Sequence, residues 1–185
     1  MEISSFQSYL LILFILLVII AVFVLRQFLK VRKEELNLVE FEQKGIDAFE
    51  TAAELYEFGS IQIKKRLYPQ ATQTFLKAIK YAKDEPNEAK AIIKNALGFS
   101  YAAQKEFQKA VNHYNSAINS LPNYTVALNN LASAKQSLLQ FEEAYQTYKK
   151  VLSIDPKNKT ALKKTKELEK RSKLTPFSEI NSKGF

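Results

Sequence analysis

The chain has 185 residues, a formal net charge of +8, 46% hydrophobic residues, no cysteine and one histidine. That length suits one domain with an appendage. The composition excludes disulfides, a thiol nucleophile and a cysteine metal site, and His113 alone supports neither a histidine-based triad nor a zinc site.

From Tyr9 to Leu25, with Leu17 at the centre, every residue but Tyr9 and Ala21 is Leu, Ile, Val or Phe. With Phe6, Gln7 and Ser8 the uncharged run makes about 30 Å of helix, enough to span a bilayer. Only Glu2 is charged ahead of it, and no small-x-small cleavage site follows. Residues 1–33 therefore read as a retained transmembrane anchor, not a signal or transit peptide. Arg26, Lys30, Arg32 and Lys33 crowd the C-terminal flank. The positive-inside rule leaves that flank, and all that follows, on the cytoplasmic side, or the stromal side in a plastid. Residues 34–51 read as an acidic, helical connector.

Residues 91–124 and 125–158 are one unit written twice. Leu97 falls on Leu131, Gly98 on Ala132, Phe107 on Phe141, Ala110 on Ala144, Tyr114 on Tyr148 and Pro122 on Pro156. A period of 34 residues with small residues, an aromatic and a terminal Pro at fixed places is the signature of the tetratricopeptide repeat (TPR) helix pair. The small residues let backbones approach, the aromatics fill the seam, and the prolines stop each second helix. Residues 52–85 form a diverged copy in which Leu55, Gly59, Ala71, Phe75 and Ala78 keep the pattern. Five extra residues separate it from the next, and they fit best in the polar loop Lys83–Asn87. Lys94 stands where Leu55 and Leu128 stand, and Gln62 and Lys135 replace Tyr101. His113, flanked by Asn112 and Tyr114, reads as a surface residue on the convex side. Residues 157–173 carry Ala161, Leu162, Thr165 and Leu168 at helical spacing among many lysines, as a capping helix needs. Residues 174–185 read as a mobile tail. The expected fold is all-α: one N-terminal transmembrane helix, then a TPR superhelix of three helix pairs with a C-terminal capping helix.

In such a superhelix the first helix of each pair faces a concave groove. The expected groove residues are Tyr56 and Ser60 with Ile63 and Lys64, then Asn95 and Phe99 with Ile92, Ala102 and Ala103. The third copy gives Asn129, Asn130 and Ser133 with Val126 and Gln136. Asn is a poor helix-interior residue. Either its amides hold the backbone of an extended client, or AT-biased codons placed it at tolerant sites. Tyr56 and Phe99 read as apolar anchors or as ordinary packing. One TPR subclass that this chain resembles in fold grips chaperone C-terminal carboxylates with Lys, Arg and Asn. Its places are held here by Tyr56, Ser60, Ala96, Val126 and Asn130, so that clamp is absent.

The runs Asn95-Ala96-Leu97-Gly98-Phe99, Val126-Ala127-Leu128-Asn129-Asn130-Leu131-Ala132 and Val151-Leu152-Ser153-Ile154-Asp155-Pro156 carry a closer resemblance. With one span, three repeats and the spacer between copies one and two, the chain resembles the membrane-anchored TPR proteins of cyanobacteria and algal plastids that assist photosystem I assembly. The resemblance implies a thylakoid location, repeats facing the stroma, contact with photosystem I subunits or assembly intermediates, and no catalysis or cofactor. The alternative is a TPR receptor that docks membrane-targeted preproteins or another membrane complex. An enzyme is disfavoured, since no nucleophile–base pair or phosphate loop is visible. Nucleic acid is not expected as a partner, because repeats that read bases need a regular polar code. Two readings stand for the basic helix at 157–173: a solvated cap, or a contact with anionic lipid.

Overall fold

The computed structural model describes residues 5–45 and 49–174, which are helix and turn throughout. Eight helices follow in order: α1 (Ser5–Lys44), α2 (Ala52–Lys64), α3 (Tyr68–Tyr81), α4 (Asn87–Ala103), α5 (Phe107–Ser120), α6 (Thr125–Ser137), α7 (Phe141–Ile154) and α8 (Lys159–Leu174). The expected tail, apart from Leu174, lies outside the described residues. The chain divides into two compact units, the first ending at Gly45 and the second beginning at Ile46.

The first unit is α1. Its segment Gln7–Lys33 is long and apolar enough to cross a membrane, and none of it is buried. Tyr9, Leu17 and Leu25 are exposed along it. Arg26, Lys30, Arg32 and Lys33 are exposed on its C-terminal part. The acidic connector is helical as far as Lys44 and continues α1 without a break. Gly45 stops it at φ +72°, and its missing Cβ would meet nothing within 4 Å. Conformation, not space, is what calls for glycine there.

The second unit stacks antiparallel helix pairs, α2/α3, α4/α5 and α6/α7, with α8 against α7. Thr51 opens it with a reciprocal cap: its Oγ1 accepts from the Glu54 N–H at 3.2 Å, and Glu54 Oε2 accepts from the Thr51 N–H at 3.2 Å. Leu55, Leu97 and Leu128 are buried, as are Ala71, Ala110 and Ala144 and the rings of Phe75, Tyr114 and Tyr148. Among the described residues the core runs from Phe49 to Leu168, all of it within the second unit. Small residues meet the rings where the backbones come closest. A Cβ on Gly59 would lie 2.6 Å from the Phe75 ring, and one on Gly98 would lie 2.7 Å from Tyr114.

Each pair turns through one residue in left-handed backbone: Arg66 (φ 62°), Lys105 (φ 64°) and Leu139 (φ 63°). The following N–H closes the helix end, from Leu67 to Gln62 O at 2.8 Å and from Glu106 and Gln140 to Tyr101 O and Lys135 O at 3.0 Å. No glycine holds these places, so each side chain carries the roughly 1–2 kcal/mol of left-handed crowding.

Two sequence expectations need correction. The five inserted residues do not all form loop. α4 has 17 residues against 13 in α2 and α6, so four of the five lengthen α4 by a turn at its N-terminus. Pro86 sets the start, and Lys90 N–H donates to its carbonyl at 3.1 Å. His113 is not a surface residue: it is half-buried and stacks on Tyr101, centroids 5.2 Å apart and planes at 7°. The equivalent seam holds Thr74 Oγ1 donating to Gln62 Oε1 at 2.8 Å in the first pair. In the third it holds the Lys135–Glu143 ion pair at 2.8 Å. Lys94, in the place of a buried leucine, threads out so that its Nζ donates to Ser120 Oγ at 2.9 Å.

Candidate protein-binding groove

Because α2, α4 and α6 each pair antiparallel with the helix that follows, all three run in the same direction. Their inner faces lie side by side and form the groove wall. The close approach at Gly59, Gly98 and Ala132 sets how far each helix leans on its partner, and so which side chains remain on that wall.

At the α2 end, Ala52, Ala53, Tyr56, Ala89 and Ile92 line an apolar pocket of about 180 Å³ with Glu85 on its rim. Tyr56 is half-buried, tilted on the Phe75 ring at 6.0 Å between centroids. Ser60 spends its one donor within α2, since Oγ donates to Tyr56 O at 2.7 Å, and keeps only acceptor capacity for the groove. Further along, Phe99, Ala102, Asn130, Ser133 and Ser137 converge on a second pocket of about 120 Å³. Phe99 is 42% and Val126 50% exposed, so both apolar side chains are offered to whatever enters.

The asparagines divide. Asn130 Nδ2 donates to Asn95 Oδ1 at 2.9 Å, tying α6 to α4 across the groove floor. Asn95 keeps its own N–H₂ and Asn130 its carbonyl for other partners. Asn129 turns instead towards the next interface. Its Nδ2 donates to Asn158 Oδ1 at 3.3 Å, and Asn158 Oδ1 also accepts the Ala161 N–H at 3.1 Å as the cap of α8. Asn129 Oδ1 is buried without a hydrogen-bond partner. So the identical spacing of Asn95 and Asn129 in their repeats does not give them the same environment. Sequence reasoning missed the Asn95–Asn130 bond and missed Glu85 and Ala89 as pocket residues. The five-residue insertion was the signal for the latter, because it supplies both.

The ionisable groups nearby are held in their neutral forms. Burial pushes the Tyr148 hydroxyl up to about 12, opposed in part by a hydrogen bond with Ser133. Burial raises Tyr114, and burial and then Tyr56 raise Tyr124. Burial, then the Lys94 ammonium, lowers His113. Among the residues lining these two pockets only Glu85 carries a formal charge. What this surface offers is apolar area and amides, which suits a peptide segment and not a small charged ligand.

A tetratricopeptide repeat family model matches residues 126–158. The chloroplastic tetratricopeptide repeat domain-containing protein PYG7 of Arabidopsis thaliana is 32% identical over 94% of this chain, which spans 57% of that protein's length. The uncharacterized protein ycf37 of Cyanophora paradoxa is 31% identical over 85% of this chain and 92% of its own. Among solved structures, the first TPR domain of Spaghetti (RPAP3) bound to an HSP90 peptide superposes with a TM-score of 0.60 at 24% identity, covering 65% of this chain and 94% of that one. That likeness carries the fold alone, and it bears out the all-α superhelix expected from the repeat spacing. Taken with the near full-length match in Cyanophora, it shows that the chain belongs to the ycf37 family of tetratricopeptide repeat proteins.

Proposed function

We propose that this chain is a non-catalytic binding factor at the thylakoid membrane that assists photosystem I assembly or stability. Client subunits or assembly intermediates occupy the concave groove. α1 crosses the bilayer once, and its basic flank keeps the repeats on the stromal or cytoplasmic side. The observation that carries the reading is the groove wall itself: two apolar pockets joined by a hydrogen-bonded amide pair, beside the exposed Phe99 and Val126. The Spaghetti domain is bound to an HSP90 peptide. The Lys, Arg and Asn side chains that grip a chaperone carboxylate in that TPR subclass are replaced here by Tyr56, Ser60, Ala96, Val126 and Asn130. A folded subunit's extended segment, anchored by apolar side chains, suits this groove better than an acidic chain end. The plastid setting of PYG7 and the resemblance to photosystem I assembly factors support the choice of client.

Affinity purification of the tagged protein from solubilised native membranes tests the reading. Photosystem I subunits should co-purify, and a Phe99→Ala, Asn130→Ala variant should lose them while remaining in the membrane. Recovery of preproteins or an unrelated complex instead, with photosystem I accumulating normally in the variant, would overturn it.

A further inference from the structure

The parallel run of α2, α4, α6 and α8 places all their C-terminal ends on one edge of the domain. Three contacts fix that edge. Gln104 Nε2 in the second turn donates to Thr72 Oγ1, just past the first turn, at 2.8 Å. Leu138 of the third turn packs on the same apolar cluster as Tyr101 and Ala102 of α4. Arg171, near the end of α8, lies 3.9 Å over the ring of Phe141, just past that third turn. The three turns and the end of α8 therefore form one line.

That line is basic. Lys64, Lys65 and Arg66 stand at the first turn, Lys105 at the second, and Arg171 and Lys173 at the end of α8, all exposed. Of the acids at these turns, Glu106 pairs with Lys109 and Glu143 with Lys135, and Glu142 opens α7 beside them. The opposite edge mixes Glu50, Glu54, Asp84, Glu85, Glu88 and Asp155 with Lys80, Lys83, Lys90, Lys150, Lys157 and Lys159, so its charges nearly balance. Complementing helix dipoles accounts for a base in a last turn, such as Lys64 or Lys173. It does not account for Arg66 and Lys105, which sit past the helix ends in left-handed backbone. Nor does it account for Leu139, which holds the same turn position in the third pair and is 45% exposed.

We infer that this edge is a docking surface for an anionic lipid bilayer, with the bases on the headgroups and Leu139 reaching below them. A row of bases around an apolar tip is the chemistry of a membrane–water interface. A protein partner would need a fitted pocket to take the leucine, whereas the acyl region of a bilayer takes it with none. Reading α1 as a bilayer anchor adds one thing: a tether keeps even a weak contact engaged by effective concentration. The surface is separate from the groove, so the domain can lie on its edge with the groove open.

The test uses the fragment 46–185, the second compact unit, with folding checked by circular dichroism. Co-sedimentation is measured with phosphatidylcholine vesicles alone and with about 30% phosphatidylglycerol, at about 0.1 and 0.5 M salt. Binding should need the anionic lipid and fall with salt. Arg66→Glu, Lys105→Glu, Lys173→Glu should weaken it at least a hundredfold, since each base near such a surface is worth about fivefold. Lys83→Glu, Lys157→Glu, Lys159→Glu makes the same change in net charge on the opposite edge and should cost less than about threefold by the same rule. Leu139→Asn should lower affinity several-fold at either salt. Equal losses in the two charge reversals would overturn the assignment to this edge. A folded fragment that ignores anionic vesicles, or that binds polyglutamate in their place, would overturn the lipid. Alkaline extraction of the full chain from membranes reports on α1 separately, so failure of the anchor and failure of the edge give different results.

Discussion

Replacing Gly98 by Ala sets two effects of known size against each other. Alanine is the better helix former, by about 1 kcal/mol in a helix interior. Against it stands the ring of Tyr114, fully buried, with Cε1 2.7 Å from where the new Cβ would sit. Ordinary carbon contacts lie at about 3.5–4.0 Å, so the two atoms overlap by roughly 1 Å. The ring is pinned inside the pair and cannot swing to solvent. Overpacking of this kind costs about 1–3 kcal/mol. The net expectation is a loss of about 0–2 kcal/mol, or up to about 8 °C in Tm for a domain of this size. The third pair shows that the seam can be built another way, since Ala132 and Tyr148 are both buried at the equivalent places. Ala132→Gly should therefore also destabilise, by roughly 1 kcal/mol of helix propensity plus the void left behind. Thermal melts of the fragment 46–185, followed by circular dichroism, measure both. A Gly98→Ala protein that melts several degrees above the parent would refute the close-approach argument.

Three further outcomes follow from the same geometry. Asn95→Ala with Asn130→Ala removes the floor bond and its partner together, so the melt should move by less than about 1 kcal/mol while client capture in a pull-down falls about tenfold; unchanged capture would sink the amide role. Lys105→Gly relieves left-handed crowding at a greater entropic cost in the unfolded chain, for a net gain of about 0.5–1 kcal/mol in the same melt. His113 is held neutral by burial and by Lys94, which lowers its folded pKa below the unfolded value of 6.5. The stability this contributes is therefore complete above about pH 6.5 and is lost as the pH falls towards the folded value. His113→Gln should flatten that part of a stability-versus-pH curve, and an unchanged slope would mean that His113 does not titrate there.

The repeat was legible because its constraints are local and periodic. A small residue opposite an aromatic, the pair recurring thirty-four places on, can mean little else than a stacked helix pair. What stayed hidden was everything that depends on which neighbour a side chain reaches. Asn95 and Asn129 occupy the same place in their units, yet one meets Asn130 and the other meets the cap of α8. The difference arises because α8 begins beside α6, and no pattern within a single unit records that. His113 was misplaced for a related reason: its partner Tyr101 lies on the preceding helix, where the other two units carry Gln62 and Lys135. The inserted turn of α4 was misread because a polar stretch containing proline looks like loop. Pro86 instead precedes the helix, where a missing N–H costs nothing.

These substitutions show how the fold and the groove are kept apart. The small–aromatic pairs Gly59–Phe75, Gly98–Tyr114 and Ala132–Tyr148 recur because each holds one helix against the next. The seam beside them is filled by a hydrogen bond, a ring stack and an ion pair in turn, so packing there tolerates a change of chemistry as long as volume and pairing are met. The groove wall is freer still, since Phe99 and Val126 are 42% and 50% exposed. The extra turn of α4 uses that freedom. It leaves the α4/α5 pairing intact while adding Ala89 beside Tyr56 and Ile92, with Glu85 on the rim. The first pocket therefore owes its depth to residues that the repeat itself does not require. A feature that the fold does not need, yet that completes an apolar pocket on the exposed wall, is where selectivity for a client is most economically built.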